Sequence, residues 1–292
     1  MGHADGADER PPARAALIDA HQHFWRLDNP GHQWPGEAEA AICRDYLPAD
    51  FAAETAGLGV AGSILVQAQP TDRDTDWLLD LAEADRAILG VVGWVDFASP
   101  DAPRRIADLA ARPKLKGLRP MLQAIDDSAW VLRDAVAPAV AAMYEAGLCF
   151  DALVQPRHLP ALAAFAARWP GLPIVIDHGA KPHAAAGTLD PWRDDMARLA
   201  DAGCWCKLSG LRTEQAPGQS ADSLAPYVDA LLRLFGDRLM WGSDWPVLHM
   251  AGDRYADWLG EARRLAGAAD AARLFGGAAA AFYGVAPMRE AP

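Results

Sequence analysis

The sequence predicts one α/β domain built as a (β/α)₈ TIM barrel, on three observations. Eight short apolar runs alternate with longer Ala- and Leu-rich stretches of helical pattern. Each short run is apolar almost throughout, as in a parallel strand covered by helices. Unexpected polar residues gather at the C-terminal ends of these runs, the face on which such barrels carry their chemistry.

The strands are expected at Leu17–His23, Gly62–Gln67, Ile88–Val95, Leu115–Arg119, Cys149–Val154, Pro173–Asp177, Cys204–Leu208 and Leu239–Ser243. Helices are expected between them, at Pro48–Leu58, Asp74–Ala84, Pro103–Ala111, Val131–Ala146, His158–Arg168, Asp190–Ala202 and Ala221–Phe235, and one or two more over Tyr255–Phe282. The repeat of eight units favours a closed barrel over an open doubly wound sheet. No G-x-G-x-x-G or P-loop pattern supports a nucleotide-binding alternative. Residues 1–14 read as a loose polar tail and 15–292 as a single barrel domain. Two long loops, Arg26–Tyr46 and Thr213–Ser220, fall at the expected mouth, where loops of this kind act as lids.

Composition excludes several classes. A formal net charge of -12 at pH 7 argues against nucleic acid as a partner. The longest apolar runs, Val60–Val66 and Ala278–Phe282, are too short to span a bilayer, and no secretion signal opens the chain. Cys43, Cys149, Cys204 and Cys206 form no C-x-x-C pair and read as buried thiols of a reducing, cytoplasmic compartment. Oligomeric state is not legible.

The polar strand ends supply the candidate site. His21 and His23 share one strand face, so both imidazoles point the same way and can grip a divalent metal or a carbonyl oxygen. Asp244, in Trp241-Gly242-Ser243-Asp244-Trp245-Pro246, is placed to take a proton from water. His178 follows Asp177 at the end of the sixth strand, three residues before Lys181. Arg119 offers a planar fork to a carboxylate or lactone oxygen, or an ordinary ion pair. Lys207 is either paired with a carboxylate such as Asp151 or pointed into the site. Gln67 and Asp151 are candidates for hydrogen bonds to a polar substrate. Trp25, Trp34 and Trp245 are candidates for a stacking wall, with core filling as the alternative.

Four segments taken together resemble the amidohydrolase superfamily, in its amidohydrolase-2 branch of metal-variable lactone hydrolases and decarboxylases. They are Ile18-Asp19-Ala20-His21-Gln22-His23-Phe24-Trp25, Lys116-Gly117-Leu118-Arg119-Pro120, Ile176-Asp177-His178-Gly179-Ala180-Lys181-Pro182 and Gly242-Ser243-Asp244-Trp245-Pro246. Lys207-Leu208-Ser209-Gly210-Leu211 adds a fifth. The resemblance implies that His21 and His23 ligate metal or polarise a carbonyl, that His178 faces substrate or metal, and that Asp244 is the general base. Many metal-dependent relatives carry a His, or a carboxylated Lys or Glu, at the end of strand four or five. Here strand five reads Phe150-Asp151-Ala152-Leu153-Val154 and strand four ends in Arg119, so a dinuclear centre is not expected. One zinc or manganese ion, held by His21 and His23 with Asp244 or His178, or metal-free catalysis, is.

The implied substrate is a sugar lactone of the L-fucono, L-rhamnono or galactono type, opened to its aldonic acid. The alternatives are a pyrone dicarboxylate-type lactonase, a metal-dependent decarboxylase of an unsaturated or aromatic acid, and a barrel with a decayed site that only binds.

Overall fold

The computed structural model describes residues 16–288, and the expected tail at 1–14 lies outside them. Eight strands form one sheet in sequence order: β1 Leu17–Gln22, β2 Val60–Val66, β3 Ile88–Gly93, β4 Leu115–Leu118, β5 Cys149–Ala152, β6 Ile174–Ile176, β7 Trp205–Leu208 and β8 Leu239–Trp241. Every neighbouring pair is parallel. The seam between β8 and β1 closes just past the regular strands. There the Asp244 amide donates to the His21 carbonyl and the His23 amide to the Trp245 carbonyl, each at 2.8 Å.

That seam is drawn tight by two residues. A Cβ on Gly242 would lie 2.8 Å from the His21 Cβ, so only glycine permits the approach. Asp19 points into the seam, and its carboxylate accepts from the Ser243 amide at 2.9 Å, the Ser243 hydroxyl at 2.6 Å and the His21 amide at 3.1 Å. Burial outweighs these bonds and pushes the Asp19 carboxyl up to about 6. The two functional strand ends are thereby stitched to each other.

The helices α1 Pro48–Thr55, α2 Asp72–Ala84, α3 Ala102–Ala110, α4 Ala137–Glu145, α5 Leu159–Arg168, α6 Trp192–Asp201, α7 Ala225–Phe235, α8 Tyr255–Ala266 and α9 Ala278–Tyr283 surround the sheet. Leu78, Ile106, Val140, Leu162, Met196, Leu231 and Leu259 of successive helices are buried in the layer between helices and strands. A second, inner cluster joins Ile18, Ala20, Ile64, Val66, Val92, Val175 and Met240 with Ala278, Ala279, Phe282 and Tyr283 of α9. The Cys149 thiol at the start of β5 donates to the Phe282 carbonyl, so α9 closes the N-terminal end of the barrel. Function is left to the opposite end. No helix among the described residues is long and apolar enough to cross a membrane.

Two expected helices are much shorter than their pattern. The stretch Val131–Ala146 splits into a 3-10 turn at Trp130–Leu132 and α4, which carries Pro138 in its first turn. Ala221–Phe235 splits in the same way at α7, where Pro226 takes that position. Proline lacks an N–H and clashes with the preceding turn, so it is tolerated only where a helix begins. Tyr255–Phe282, expected as one or two helices, forms two: α8 ends at Ala266, and α9 follows a π turn at Arg273–Gly277. The amides of Gln67 and Arg119 still donate to the Val92 and Gly93 carbonyls of β3, each at 2.8 Å, whereas Asp177 and Ser243 lie beyond β6 and β8 at the mouth.

Candidate active site

Four groups meet at the C-terminal mouth. His21 and His23 come from the end of β1, His178 from the turn after β6, and Asp244 from the turn after β8. Asp244 Oδ1 lies 3.3 Å from His23 Nε2, 3.7 Å from His21 Nε2 and 3.8 Å from His178 Nε2. The His21 and His23 Nε2 atoms are 3.1 Å apart. Backbone strain sets this geometry: His178, Ala180, Lys181 and Asp244 all have φ between 51° and 61°, in the left-handed region. Non-glycine residues there cost of order 1–3 kcal/mol each and persist only when their surroundings hold them. Gly210, after β7, shares that conformation for a steric reason as well: a Cβ there would sit 2.5 Å from His178 Nδ1 and 3.1 Å from Asp244 Oδ2.

The second nitrogens fix the rings. His23 Nδ1 donates to the Val66 carbonyl at 2.8 Å, which leaves its Nε2 without a proton in the neutral ring. His178 Nδ1 hydrogen-bonds the Ser209 hydroxyl at 2.9 Å. Burial lowers the His178 pKa to about 4, against the pull of Asp244. Burial alone would raise the Asp244 pKa, but His178, His23 and His21 outweigh it and hold the carboxyl well below its ordinary range. Burial and Lys207 together keep His21 neutral. At neutral pH the cluster therefore sets one carboxylate beside the uncharged rings of His21 and His178.

A charged layer lies beneath. Lys207 Nζ is 2.6 Å from Asp151 Oδ2, 2.9 Å from Asp177 Oδ1 and 3.1 Å from His21 Nδ1. Arg119 Nη1 is 3.2 Å from Asp177 Oδ2, and its Nη2 donates to the Gln67 carbonyl and to Gln67 Oε1. The Tyr283 hydroxyl of α9 donates to Asp151 Oδ2 at 2.7 Å. Two cations and two carboxylates balance, as buried ions must. Lys207, His21 and Arg119 hold Asp177 ionised against the burial that opposes it.

Above the floor opens a cavity of about 350 Å³, lined by His23, Arg119, His178 and Asp244 below, and by Gln33, Gln123 and Lys181 as further polar groups. Trp34, Ala68, Pro70, Met121, Ala124, Leu153 and Val247 make the remainder apolar. A small, partly hydroxylated ring is the kind of ligand such a lining accepts. The long Arg26–Tyr46 loop carries Gln33 and Trp34 to the cavity, and Gln69 anchors it. The Gln69 side chain accepts from the Gln33 amide at 2.8 Å and the Trp34 amide at 3.2 Å, and donates to the Trp34 carbonyl.

The expected residues divide accordingly. His23, Trp34, Arg119, His178 and Asp244 line the cavity, and His21 lies in its floor. Gln67 and Asp151, expected at the substrate, are instead fully buried in the layer below, each paired with a charged neighbour, and of the two alternatives for Lys207 it takes the pairing with Asp151. Trp25, also expected at the substrate, is buried behind Trp34: its Nε1 donates to the Arg44 carbonyl at 2.7 Å, and the two rings meet edge to face with centroids 5.4 Å apart. Trp245 packs edge-on to Phe24, Tyr46 and Phe51. Sequence reasoning gave no role to Asp177, Gln69, Lys181 or Asp19. The adjacency of Asp177 to His178 was the one available signal; Gln69 and Asp19 act through backbone contacts that no spacing reveals.

The donor set fits one divalent ion. Tetrahedral ligands bound at 2.0–2.1 Å stand ~3.3 Å apart. His21 Nε2, His23 Nε2 and Asp244 Oδ1 are separated by 3.1, 3.3 and 3.7 Å. Two imidazoles and a carboxylate with an open side match the three-ligand pattern of catalytic zinc sites.

Comparison with known proteins agrees with this architecture. A family model described as Amidohydrolase matches residues 18–285. The chain is 47% identical over 274 residues to an L-fucono-1,5-lactonase of Burkholderia ambifaria, covering 91% of this chain and 94% of that protein. It is 37% identical to an L-fucono-1,5-lactonase of Burkholderia multivorans, covering 92% and 96%. A crystal structure of a Burkholderia multivorans amidohydrolase with bound zinc superposes with a TM-score of 0.87 at 36% identity, covering 93% of this chain and 100% of that one. The barrel, its strand-end residues and these relatives together place the chain in the amidohydrolase family.

Proposed function

We propose that this chain is a carboxylic ester hydrolase that opens a sugar lactone, of the L-fucono-1,5-lactone type its relatives are named for, to the aldonate. The observation that carries the reading is Asp244: an ionised, nearly buried carboxylate within 3.8 Å of three imidazole Nε2 atoms at the floor of a sugar-sized cavity. Its low proton affinity in the resting site keeps it ionised.

The lactone ring lies against Trp34 with its carbonyl toward the floor. Arg119 and His178 donate to the carbonyl oxygen as it gains charge. Asp244 takes one proton from water as the water oxygen bonds to the carbonyl carbon. The bond from that carbon to the ring oxygen then breaks, and Asp244 returns the proton to the departing alkoxide. Water is consumed and no group remains on the enzyme. His21, His23 and Asp244 would hold one divalent ion, zinc or manganese, which when bound supplies Lewis-acid polarisation of the carbonyl. All four cysteines are free thiols, which supports a reducing, cytoplasmic setting.

Proton release from a panel of aldonolactones, with and without chelator, tests the reading. Acid release with an L-fucono-type lactone and its absence with aromatic acids is expected. Carbon dioxide release from an aromatic acid without lactone opening would replace it by the decarboxylase.

A further inference from the structure

His21 stands between two competing hydrogen-bond arrangements. In one, its proton is on Nε2: Lys207 Nζ donates to Nδ1 at 3.1 Å, and Nε2–H donates to the bare His23 Nε2, also at 3.1 Å. In the other, its proton is on Nδ1 and faces Asp177 Oδ1 at 3.4 Å, while Arg119 Nη1 donates to Nε2 at 3.4 Å. The first arrangement uses both short contacts and the second both long ones, and hydrogen bonds weaken over that range. Asp177 Oδ1 is ion-paired with Lys207 Nζ at 2.9 Å but takes no well-aligned hydrogen bond, so it can accept from Nδ1–H in the second arrangement. A divalent ion can take Nε2 only in the second.

We infer that Lys207 and Asp177 are opposed positioning residues for His21: Lys207 holds the Nε2–H form and so weakens divalent-metal binding, and Asp177 stabilises the Nδ1–H form that binds metal. The inference rests on the reading of His21, His23 and Asp244 as the ligand set, and on no assumption about the substrate. It makes this a site whose metal affinity is set low by a lysine. Lys207 stays protonated throughout, and only the position of one imidazole proton changes.

Two measurements test it. In the metal-free wild-type protein, nitrogen NMR of the imidazoles is expected to give His21 a pyridine-like Nδ1 and a pyrrole-like Nε2. The opposite assignment would overturn the inference, and this arm needs no variant to fold. Zinc titration by competition with a chelating dye then compares variants. Lys207→Met with Asp151→Asn removes one positive and one negative buried charge together, and is expected to tighten zinc binding about tenfold. Asp177→Asn is expected to weaken it about 10–100-fold, the usual range for a partner behind a ligating histidine. A purely structural role would weaken binding in both variants, and that result would also overturn the inference. Neither readout uses turnover, so a failure of the lactonase reading leaves it untouched and is seen separately in the lactone assay.

Discussion

Replacing Asp244 by Asn keeps the shape of the side chain and removes its ability to accept a proton. In the structure Asp244 Oδ1 is the one atom close to all three imidazole Nε2 atoms. Asp177 cannot take over, because it is ion-paired with Lys207 and Arg119 in the layer beneath the cavity. Positioned general bases contribute about 10²–10⁴-fold, or about 3–5 kcal/mol of barrier. Asp244→Asn is therefore expected to lower kcat on an aldonolactone about 10²–10⁴-fold with KM little changed. Its fold is preserved, because the Asp244 amide, and not its side chain, carries the bond to His21 that closes the barrel. Initial rates of acid release, read beside the circular dichroism melting curve, give both quantities. A folded variant with kcat within about threefold of wild type would refute the reasoning.

Other perturbations follow from the same geometry. Gly210→Ala puts a Cβ 2.5 Å from His178 Nδ1 in a left-handed backbone, so kcat should fall about tenfold or more and the protein should lose about 1–3 kcal/mol in a urea melt. Gln69→Ala releases the Gln33–Trp34 segment and should raise KM about tenfold while kcat stays within about threefold, as read from saturation curves. With His178 lowered to about 4 and Asp244 held ionised, neither group should place an inflection in kcat/KM near the ordinary histidine value of about 6.5, and the acid limb they give should begin well below. The same depressed His178 makes the unfolded chain bind the extra proton between the unfolded value and about 4, so its contribution to stability is lost as pH falls through that window.

The barrel was legible because periodicity survives in sequence: each apolar strand and each helical stripe reports its own burial. The site was legible where a side chain ends a strand. His21 and His23 alternate onto one face, and Asp244 and His178 follow a strand directly. What strand position alone could not tell was depth. Arg119 and Lys207 each end or sit late in a strand, yet Arg119 lines the cavity while Lys207 turns down to Asp151 and Asp177. That choice is set by partners from β5 and β6, which are distant in sequence. Trp25 and Trp34 lie nine residues apart, and which ring faces the cavity is set by the bridge between Trp25 and Tyr46 and by the Gln69 contacts to Gln33 and Trp34. Helix lengths were overestimated where a hydrophobic stripe runs on through Pro138 or Pro226, since the pattern records burial and the proline records where the helix can begin.

The central claim is that Asp244 activates water and does not itself attack the lactone. A single turnover in water enriched in heavy oxygen, with enzyme in excess over L-fucono-1,5-lactone, tests it most directly. The account predicts one heavy oxygen in the aldonate carboxylate from the first turnover and none in the Asp244 peptide. Heavy oxygen in Asp244, with an unlabelled product from that turnover, would contradict it.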